Sequence, residues 1–444
     1  MASIKIKKLG PIKEIELDLT KNIDIVIGPQ ATGKSTVAKI IYFCKMIRFY
    51  FIDFLNEDSI ILNAPGNELY LSFLKYIRKK YMDSFGTTKH MSRSFKVVYN
   101  YCQEAFVKIE LDEQGYVKFC FSKNLESEIK DSIGSIRKLY EDNQHDKYIN
   151  AYSTINNRLL MKKEAIQHFA IRSSEIFMDD DEDIIYIPAG RSLLSVLSDQ
   201  LDVVNTTGLD LSMRDFINRI RDTKIRFGTK LDEVVADYVK TIRGQIKNTD
   251  VELAKQLVQK VLKAEYVNDA DGEKLFVDDR KWVKLIYGSS GQQEALWIVL
   301  LLFIIILENK KTYIIVEEPE AHLFPNAQLS MMELLALTVS STNSHLFITT
   351  HSPYIMTAAN LLLYSGKVEN NIKQPSNRSI VARQLRIAPQ QVDAFKFSET
   401  ETGIIYNIID LESGLINASE IDTISDVIND NTEKLIDMEI QYDM

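Results

Sequence analysis

The chain of 444 residues is 45% hydrophobic and 26% charged. This balance is typical of globular domains and excludes a disordered or fibrous chain, and the length predicts two domains or one domain with a large insertion. Because the net charge is −9, the protein is not a polycation that binds nucleic acid over its whole surface, so any such contact must be local.

Cysteine usage and the longest apolar run limit the class of protein further. Cys44, Cys102 and Cys120 form no C-x-x-C pair, which argues against a cysteine zinc site or a disulfide framework and favours a reducing, cytoplasmic location. The N-terminus shows no basic region followed by an apolar stretch, so we expect no secretion signal. The run Ala295–Leu307 is too short to span a bilayer and predicts a buried helix and no membrane partner.

The first 55 residues predict short strands followed by a helix. Apolar residues alternate with polar ones from Ile4 to Leu19, as in half-buried antiparallel strands. Ile23–Ile27 is a short apolar strand that runs directly into Gly28, and the stretch from Val37 to about Leu55 is apolar at helical spacing. The order is therefore strand, glycine loop, helix.

Residues 56–183 predict an insertion with helices and short strands. Phe95–Tyr99 and Tyr116–Phe121 are typical of strands, and Ser127–Tyr140 and Asn157–Phe177 are typical of helices. The acidic run Asp179–Asp183 predicts a solvated surface loop, with a metal site as the less favoured alternative.

From residue 184 to residue 210 the chain returns to the core, beginning with the strand Ile184–Ile187. Residues 211–280 then predict a helical insertion lobe. In residues 281–365 strands and helices alternate, which indicates a parallel sheet covered by helices. Residues 366–444 predict further strands and one helix, whose apolar face consists of Ile421, Ile424, Val427 and Ile428.

The segment after Ile23–Ile27 fits the phosphate-loop pattern G-x-x-x-x-G-K-[ST] at every fixed position. It consists of Gly28, Pro29, Gln30, Ala31, Thr32, Gly33, Lys34 and Ser35, with Thr36 following. Glycines let backbone N–H groups curl around phosphates, Lys34 can reach the β- and γ-phosphates, and the Ser35 hydroxyl can ligate Mg²⁺. A chance glycine turn is the alternative, which the flanking strand and helix disfavour.

Two adjacent carboxylates end the apolar strand Tyr313–Val316. In a phosphate-loop ATPase one such acid supports the metal and the next polarises the attacking water. We therefore expect Glu317 to hold Mg²⁺ through water and Glu318 to act as the general base. Two solvated acids at a strand edge would be the simpler interpretation if this strand stood alone.

Two further motifs lie on either side of this strand in the sequence. Gly288–Gly291 opens the apolar helix with small residues, so its free N–H groups can meet phosphate, although by itself this is an ordinary helix cap. The strand Leu346–Thr350 ends at His351, and ligands bind at the carboxyl ends of the strands in such sheets.

The motifs together resemble those of ABC-type ATPases of the SMC, RecF and OLD group. They are the phosphate loop, Ser-Ser-Gly-Gln-Gln at 289–293, Glu-Glu-Pro-Glu-Ala-His-Leu at 317–323 and Thr-His-Ser-Pro at 350–353. The chain is most similar to OLD-like prokaryotic ATPases of antiviral defence operons, such as the ATPase subunits of Septu, PARIS and some retron systems. The middle of the chain resembles no family that we can name.

This resemblance implies an α/β fold: an ABC-type P-loop nucleotide-binding domain with a mixed sheet, plus a helical insertion lobe. The ATPase domain would be formed by residues 1–55, 184–210 and 281–365. The resemblance also implies ATP and Mg²⁺ as cofactors, with His351 as the switch histidine that contacts the γ-phosphate. The expected catalytic residues are then Glu318, His351 and Lys34, and the expected metal-holding residues are Ser35 and Glu317.

Assembly is implied by the same resemblance. Ser290 and Gly291 match the signature motif, which in this group contacts the nucleotide held by a second protomer, so we expect a homodimer or higher homo-oligomer. Ser289 and Gln292 depart from the usual Leu-Ser-Gly-Gly-Gln, which puts the tightness of that contact in question. For the Q-loop, the segment 188–191 is a candidate without a firm placement.

Two basic stretches raise the question of nucleic acid. Lys75–Lys96 has seven basic residues against one acid, and Arg214–Lys230 has six against two. Solvated faces with intramolecular ion pairs are slightly favoured, and a local DNA or RNA surface is the alternative.

Related OLD proteins carry a Toprim nuclease after the switch histidine, but the 93 residues given after His351 contain no Glu-Gly-x-x-Asp and no clear D-x-D, and the HNH pattern is missing as well. We therefore expect an ATPase without a nuclease centre of its own, which acts as sensor or scaffold for a separate nuclease or toxin. One alternative is a RecF- or SMC-like DNA-repair ATPase that clamps DNA. The other is a structural subunit that binds ATP without hydrolysing it.

Overall fold

A computed structural model describes most of the chain. The described residues are 2–57, 68–87, 94–145, 163, 166–167, 177, 182–198, 206–241, 248–278, 280–369, 380–398, 401, 403–417 and 428–436. Most of the predicted helix Asn157–Phe177, the first part of the acidic run and the predicted apolar face at Ile421, Ile424 and Val427 lie outside these residues.

The strands follow one another along the chain as β1 (Ser3–Leu9), β2 (Ile12–Asp18), β3 (Ile23–Ile27), β4 (Lys96–Asn100), β5 (Phe106–Leu111), β6 (Val117–Phe121), β7 (Asp183–Ile187), β8 (Glu265–Asp269), β9 (Gly272–Phe276), β10 (Trp282–Lys284), β11 (Thr312–Glu317), β12 (His345–Thr350), β13 (Val392–Phe397) and β14 (Ile405–Asn407). The helices are α1 (Lys34–Asn56), α2 (Leu69–Phe85), α3 (Lys123–His145), α4 (Ser192–Val196), α5 (Leu211–Lys224), α6 (Leu231–Thr241), α7 (Asn248–Leu262), α8 (Ser290–Glu308), α9 (Pro325–Thr342) and α10 (Pro353–Glu369).

A six-stranded mixed sheet positions the motifs, in the order β14-β13-β3-β12-β11-β7. All neighbours pair in parallel except β14, which is antiparallel at the edge. The carboxyl ends of β3, β12, β11 and β7 therefore lie at one edge of the sheet, where the phosphate loop, His351, Glu318 and Pro188 follow them. The α/β fold class with a mixed sheet is confirmed.

Each face of this sheet is covered by its own hydrophobic core. Ile314 packs into a cluster with α7, α8, α9 and α10, whereas its neighbour Ile315 packs into a second cluster with α1 and the strands β1 and β2. Successive side chains of a strand point to opposite faces, so a strand that is buried on both faces is apolar at every position. This explains why the residues of β3 and β11 are mainly apolar, with Asp24 in β3 as an exception.

The second sheet is antiparallel, with the order β2-β1-β4-β5-β6. Its strands β4, β5 and β6 come from the expected insertion 56–183, and β4 pairs directly with β1, with Ile6 opposite Val97. These strands thus complete the sheet that the N-terminal strands begin. Strand β5 was not predicted.

The expected helical lobe 211–280 contains the helices α5, α6 and α7, but the chain from residue 265 onward differs. Instead of continuing as helix, it forms a three-stranded sheet with the order β10-β9-β8. Gly272 has φ +101°, and Asp271-Gly272 is a hairpin signal that favours strands on both sides. The helical interpretation of this part was wrong.

The predicted buried helix Ala295–Leu307 lies within α8. Among the described helices, α8 is long and apolar enough to cross a membrane, but 89% of its most apolar window is buried inside the protein. Its apolar surface is thus covered by the first core cluster. This is the pattern of a core helix.

The end of the acidic run is not a solvated loop, contrary to expectation. Glu182 is 4% exposed, lies 2.5 Å from His345 Nδ1 and pairs with Lys311 at 3.3 Å. Asp183 begins β7 and pairs with Lys310 at 2.6 Å and with Arg219 at 2.5 Å. Desolvation of these carboxylates is offset by their cationic partners.

Candidate nucleotide-binding site

The phosphate loop connects β3 to α1, and its shape depends on glycine. Gly33 has φ +114°, and a Cβ there would lie 2.8 Å from Ile12 Cγ1. A Cβ at Gly28 would lie 2.7 Å from that of Phe397. Helix α1 begins at Lys34 without a side-chain cap, so its first N–H groups remain available to an anion.

Lys34 folds back onto this loop. Its ammonium donates to the carbonyl oxygens of Gly28 at 2.7 Å and Pro29 at 2.6 Å, and lies 3.4 Å from His351 Nδ1. The side chain is buried, and desolvation lowers the pKa of Lys34 to about 8. Thr32 Oγ1 donates to the same Pro29 carbonyl at 2.9 Å. The loop thus holds its own cation in place.

A cavity of about 260 Å³ brings three of the motifs together. It is lined by Pro11, Gln30, Ala31, Gly33, Lys34, Ser35, Thr36, Glu318 and His351. Six of the nine predicted phosphate-loop residues therefore meet the predicted base and switch histidine, which lie far along the chain. Gly28, Pro29 and Thr32 are not among the lining residues. Ser35 is exposed to this cavity, and no protein hydrogen bond to its hydroxyl is found in the described part of the chain.

Glu318, the residue after β11, has an unusual backbone conformation. Its φ is +46°, a left-handed value that costs a non-glycine residue about 1–2 kcal/mol. Its N–H donates to the Thr349 carbonyl at 2.8 Å, and its carboxylate lies 3.0 Å from His351 Nε2. The hydrogen bond with His351 holds the pKa of Glu318 below its usual value.

Glu317, the last residue of β11, is 4% exposed and is not among the residues that line the cavity. Its Oε1 accepts a hydrogen bond from the Tyr186 hydroxyl at 2.7 Å and its Oε2 accepts one from the Ala189 N–H at 3.2 Å. Each oxygen is thus oriented by a protein donor and keeps a lone pair for a water molecule. This donor set, with the Ser35 hydroxyl, fits a Mg²⁺ that keeps several of its waters.

Glu320 supports the switch histidine and was not singled out by the sequence. It is 9% exposed, and its Oε1 accepts hydrogen bonds from Thr350 Oγ1 at 2.8 Å and from the His351 N–H at 2.7 Å. Burial raises the pKa of Glu320. Its position two residues after Glu318 in an apolar context was the available signal.

Ser290 and Gly291 are not among the residues that line the cavity. They form the exposed first turn of α8, where Ser289 caps the helix and accepts from the Gln292 N–H at 3.3 Å while its own N–H donates to Gln292 Oε1 at 2.9 Å. The Gln292 amide also donates to the Leu262 carbonyl at 2.8 Å. The two departures from the usual signature thus form a capping box.

The segment 188–191, the candidate Q-loop, lies beside Glu317 but contains no glutamine. Its last residue, Arg191, is fully buried and donates to the carbonyl oxygens of Glu317 and Glu318. Sequence reasoning gave Arg191 and Tyr186 no role. A tyrosine within an otherwise apolar buried strand was the signal for Tyr186.

Comparison with known proteins gives one family and a set of distant structures. A family model described as AAA ATPase domain matches residues 1–356. No curated protein matches the chain. Similar solved structures include an SMC head bound to the C-winged helix domain of ScpA, with 12% identity, a TM-score of 0.41 and coverage of 92% of this chain and 97% of that one.

Two further solved structures are also SMC heads. One is the SMC head domain from Thermotoga maritima, with 10% identity, a TM-score of 0.34 and coverage of 91% of this chain and 97% of that one. The other is an Smc head domain with an extended coiled coil, bound to the C-terminal domain of ScpA derived from Pyrococcus furiosus, with 11% identity, a TM-score of 0.39 and coverage of 91% and 95%. At these identities and TM-scores, the three structures support no conclusion about the activity or partners of this chain.

The family match covers 356 of the 444 residues. It therefore includes the phosphate loop, the carboxylates after β11 and the histidine after β12. On this match the chain belongs to the AAA ATPase domain family.

Proposed function

We propose that this ATPase domain binds ATP with Mg²⁺ in the 260 Å³ cavity, hydrolyses it, and dimerises around it. The observation that carries the proposal is that Lys34, Glu318 and His351 line one cavity. Phosphoryl transfer to water needs a cation for the phosphates and a base for the water. Lys34 can be the cation and Glu318 the base, and His351 contacts both.

Within one chain these groups satisfy one another. The Lys34 ammonium bonds to loop carbonyls and the Glu318 carboxylate bonds to His351. A γ-phosphate offers Lys34 and His351 a more highly charged partner, which leaves Glu318 free to accept the proton of the attacking water. Mg²⁺, when bound, supplies charge neutralisation at the phosphate oxygens.

The exposed first turn of α8 supports the dimer. Ser290 and Gly291 lie outside their own chain's cavity, and the Ser289 cap uses the Gln292 N–H. The first N–H groups of α8, those of Ser290 and Gly291, are therefore proposed to meet the nucleotide of a second copy. Two copies related by a twofold axis would then form two composite sites. Hydrolysis removes the bridging phosphate and lets the copies separate.

Two variants test the chemistry. Lys34→Ala should weaken ATP binding at least about 100-fold, while Glu318→Gln should bind ATP within about threefold of wild type and hydrolyse it about 100- to 1,000-fold more slowly. The controls are Lys118→Ala and Glu16→Gln, two exposed strand positions. A Glu318→Gln protein that hydrolyses ATP at the wild-type rate contradicts the base assignment, and ATP left unchanged by wild type supports a structural subunit instead.

In the cell, the proposed role is that of a cytoplasmic sensor or scaffold that controls a separate nuclease or toxin in antiviral defence. The similarity of the motifs to OLD-like ATPases supports this role. Co-expression with the products of its neighbouring reading frames should protect cells against phage, and Lys34→Ala should abolish the protection.

A second candidate, a DNA-clamping ATPase, is favoured by one observation. Lys75, Lys79, Lys80 and Arg214 line a cavity of about 580 Å³ between α2 and α5, so the two basic stretches meet. Much of the second stretch is engaged elsewhere, since Arg219, Lys224 and Arg226 pair with acids of the same chain. DNA-stimulated ATP hydrolysis without any partner protein, strongly reduced by salt, would favour this candidate.

A further inference from the structure

Arg191 is a fully buried arginine that the proposed chemistry leaves without a role. Its exposed fraction is 0%. Its Nη1 donates to the carbonyl oxygens of Glu317 at 2.7 Å and of Pro188, and its Nη2 donates to that of Glu318 at 2.9 Å. A guanidinium is a rigid planar fork, so donors directed at three main-chain carbonyls fix the backbone that carries them.

The negatively charged partner of Arg191 lies on α8, the helix that begins at Ser290. Glu294, in the second turn of α8, is 2% exposed, and its carboxylate lies 3.5 Å from Arg191 Nε. The same carboxylate accepts the N–H groups of Arg191 and Ser192, each at 3.0 Å, while Arg191 Nε donates to the Glu294 carbonyl at 3.0 Å. One side chain thus joins α8 to the end of β11.

The end of β11 needs such support. Glu318 has φ +46°, and a strained residue keeps its conformation only when its surroundings hold it. Arg191 holds the carbonyl side of Glu318, and Thr349 holds the N–H side. The turn that follows also touches α8, because a Cβ at Gly291 would lie 2.7 Å from the His322 carbonyl oxygen.

We propose that Arg191 is a positioning residue that transmits contact at the Ser290 end of α8 to the Glu318 carboxylate of the same chain. This rests on the proposed nucleotide-bridged dimer, in which Ser290 meets the second copy's nucleotide. A shift of α8 moves Glu294, and Glu294 moves the Arg191 guanidinium. The guanidinium in turn moves the carbonyl groups of Glu317 and Glu318. The rate of hydrolysis at one site would then depend on whether the other site holds a nucleotide.

Steady-state kinetics of the full chain test this. Arg191→Lys keeps the charge but removes the fork, so ATP Kd and KM should stay within about threefold of wild type while kcat falls about 10- to 100-fold, the loss typical of a small misplacement of a catalytic group. Glu294→Gln, which is milder, should show the same split with a smaller loss of kcat. The control is Arg219→Lys, which alters a partly exposed ion pair between α5 and Asp183 and should leave kcat unchanged.

A double-mutant cycle separates transmission from local damage. Ser290→Ala should lower kcat on its own but add little in the Arg191→Lys background, because the path is already broken. In the Arg219→Lys background the full effect of Ser290→Ala should remain. Additive losses for Ser290→Ala and Arg191→Lys would overturn the proposal.

The remaining outcomes are also distinct. Wild-type kcat in folded Arg191→Lys, or a loss of ATP binding equal to the loss of kcat, would overturn the role of Arg191 while leaving the proposed function standing. If Arg191→Lys does not fold, Glu294→Gln decides by the same criteria. Absence of ATP-dependent dimers or turnover in wild type would overturn the proposed function first and this inference with it.

Discussion

Tyr186 shows how one buried hydroxyl can orient the carboxylate that we propose to support Mg²⁺. It is buried on β7 and donates to Glu317 Oε1 at 2.7 Å, while the Ala189 N–H holds the other oxygen. Partners of this kind orient a carboxylate and set the affinity of the metal that it supports. The glutamate at 317, one methylene longer than the commoner aspartate, has more freedom for the hydroxyl to restrict.

Tyr186→Phe should therefore raise the Mg²⁺ concentration needed for half-maximal ATP hydrolysis by about 3- to 10-fold, because Glu317 loses one orienting donor. Binding of ATP without Mg²⁺ should not change. The matched control is Tyr42→Phe: its ring centroid lies 5.2 Å from that of Tyr186, but its hydroxyl donates to Asp215. Equal Mg²⁺ dependence in wild type and both variants, measured by titration of the metal, would refute the role of Tyr186.

Strand β3, which carries the phosphate loop, contains a buried carboxyl group at its second residue. Asp24 is 2% exposed, and no hydrogen-bond partner of its Oδ1 is found in the part of the chain described. Burial and the nearby Asp393 raise the pKa of Asp24 well above its usual value. The folded chain therefore retains a proton here that the unfolded chain releases.

The free energy of unfolding should therefore fall as the pH rises above about 4, the pKa of Asp24 in the unfolded chain. The fall continues toward the raised pKa of Asp24 in the folded chain, because in this range the unfolded state binds fewer protons than the folded state. Asp24→Asn mimics the protonated form and should raise Tm by about 2–4 °C at pH 7–8. Below about pH 4 the two proteins should melt alike. Asp131→Asn, an exposed change on α3, is the control, and an unchanged Tm difference across pH would count against this account.

The elements that the sequence predicted best are those with a local cause. Ile23–Ile27, which is apolar except at Asp24, and the apolar run in α8 are buried on all sides. Strand β5 and the hairpin at Gly272 were missed, although their strands pair with neighbours in the sequence. These strands are only five or six residues long, and periodicity alone does not distinguish a strand from a helix in so short a segment.

Some residues of the candidate site could be predicted from the sequence, and others could not. The phosphate loop could be predicted because its backbone path demands glycines at fixed spacing. Arg191 and Glu320 could not, because they act by donating to or accepting from backbone groups of Glu318 and His351 more than twenty residues away. A side chain that contacts the main chain of another element has no sequence pattern of its own.

At the scale of the whole molecule, one chain supplies only part of the proposed composite site. Its parallel sheet brings the loop after β3 to the carboxylates after β11 and the histidine after β12. The turn at Ser290 lies outside this cavity, exposed at the start of α8. We therefore expect mixtures of two inactive variants to regain ATP hydrolysis if the site is completed between two chains. If the site is completed within one chain, such mixtures should stay inactive.

Mixing two inactive variants distinguishes these arrangements. Lys34→Ala removes the phosphate-loop cation and Ser290→Arg should block the signature turn, so each variant alone should be inactive. A mixed dimer contains one intact site, made of the Ser290→Arg chain's loop and the Lys34→Ala chain's Ser290. An equimolar mixture with free exchange should thus recover at most about a quarter of the wild-type ATPase rate, since half of the dimers are mixed and each has one working site of two. The Glu318 of this working site belongs to the Ser290→Arg chain, so the loss of transmission through Arg191 in that chain should lower the recovered rate further.

The control for this experiment is a mixture of Lys34→Ala with Glu318→Gln. Lys34 and Glu318 line the same chain's cavity, so one composite site of the mixed dimer lacks the cation and the other lacks the base, and no site is intact. This mixture should stay inactive at every ratio. If the Lys34→Ala and Ser290→Arg mixture also stays inactive while mixed dimers are detected, Ser290 does not act across the two copies, because complementation requires only that the two residues serve a site from different chains.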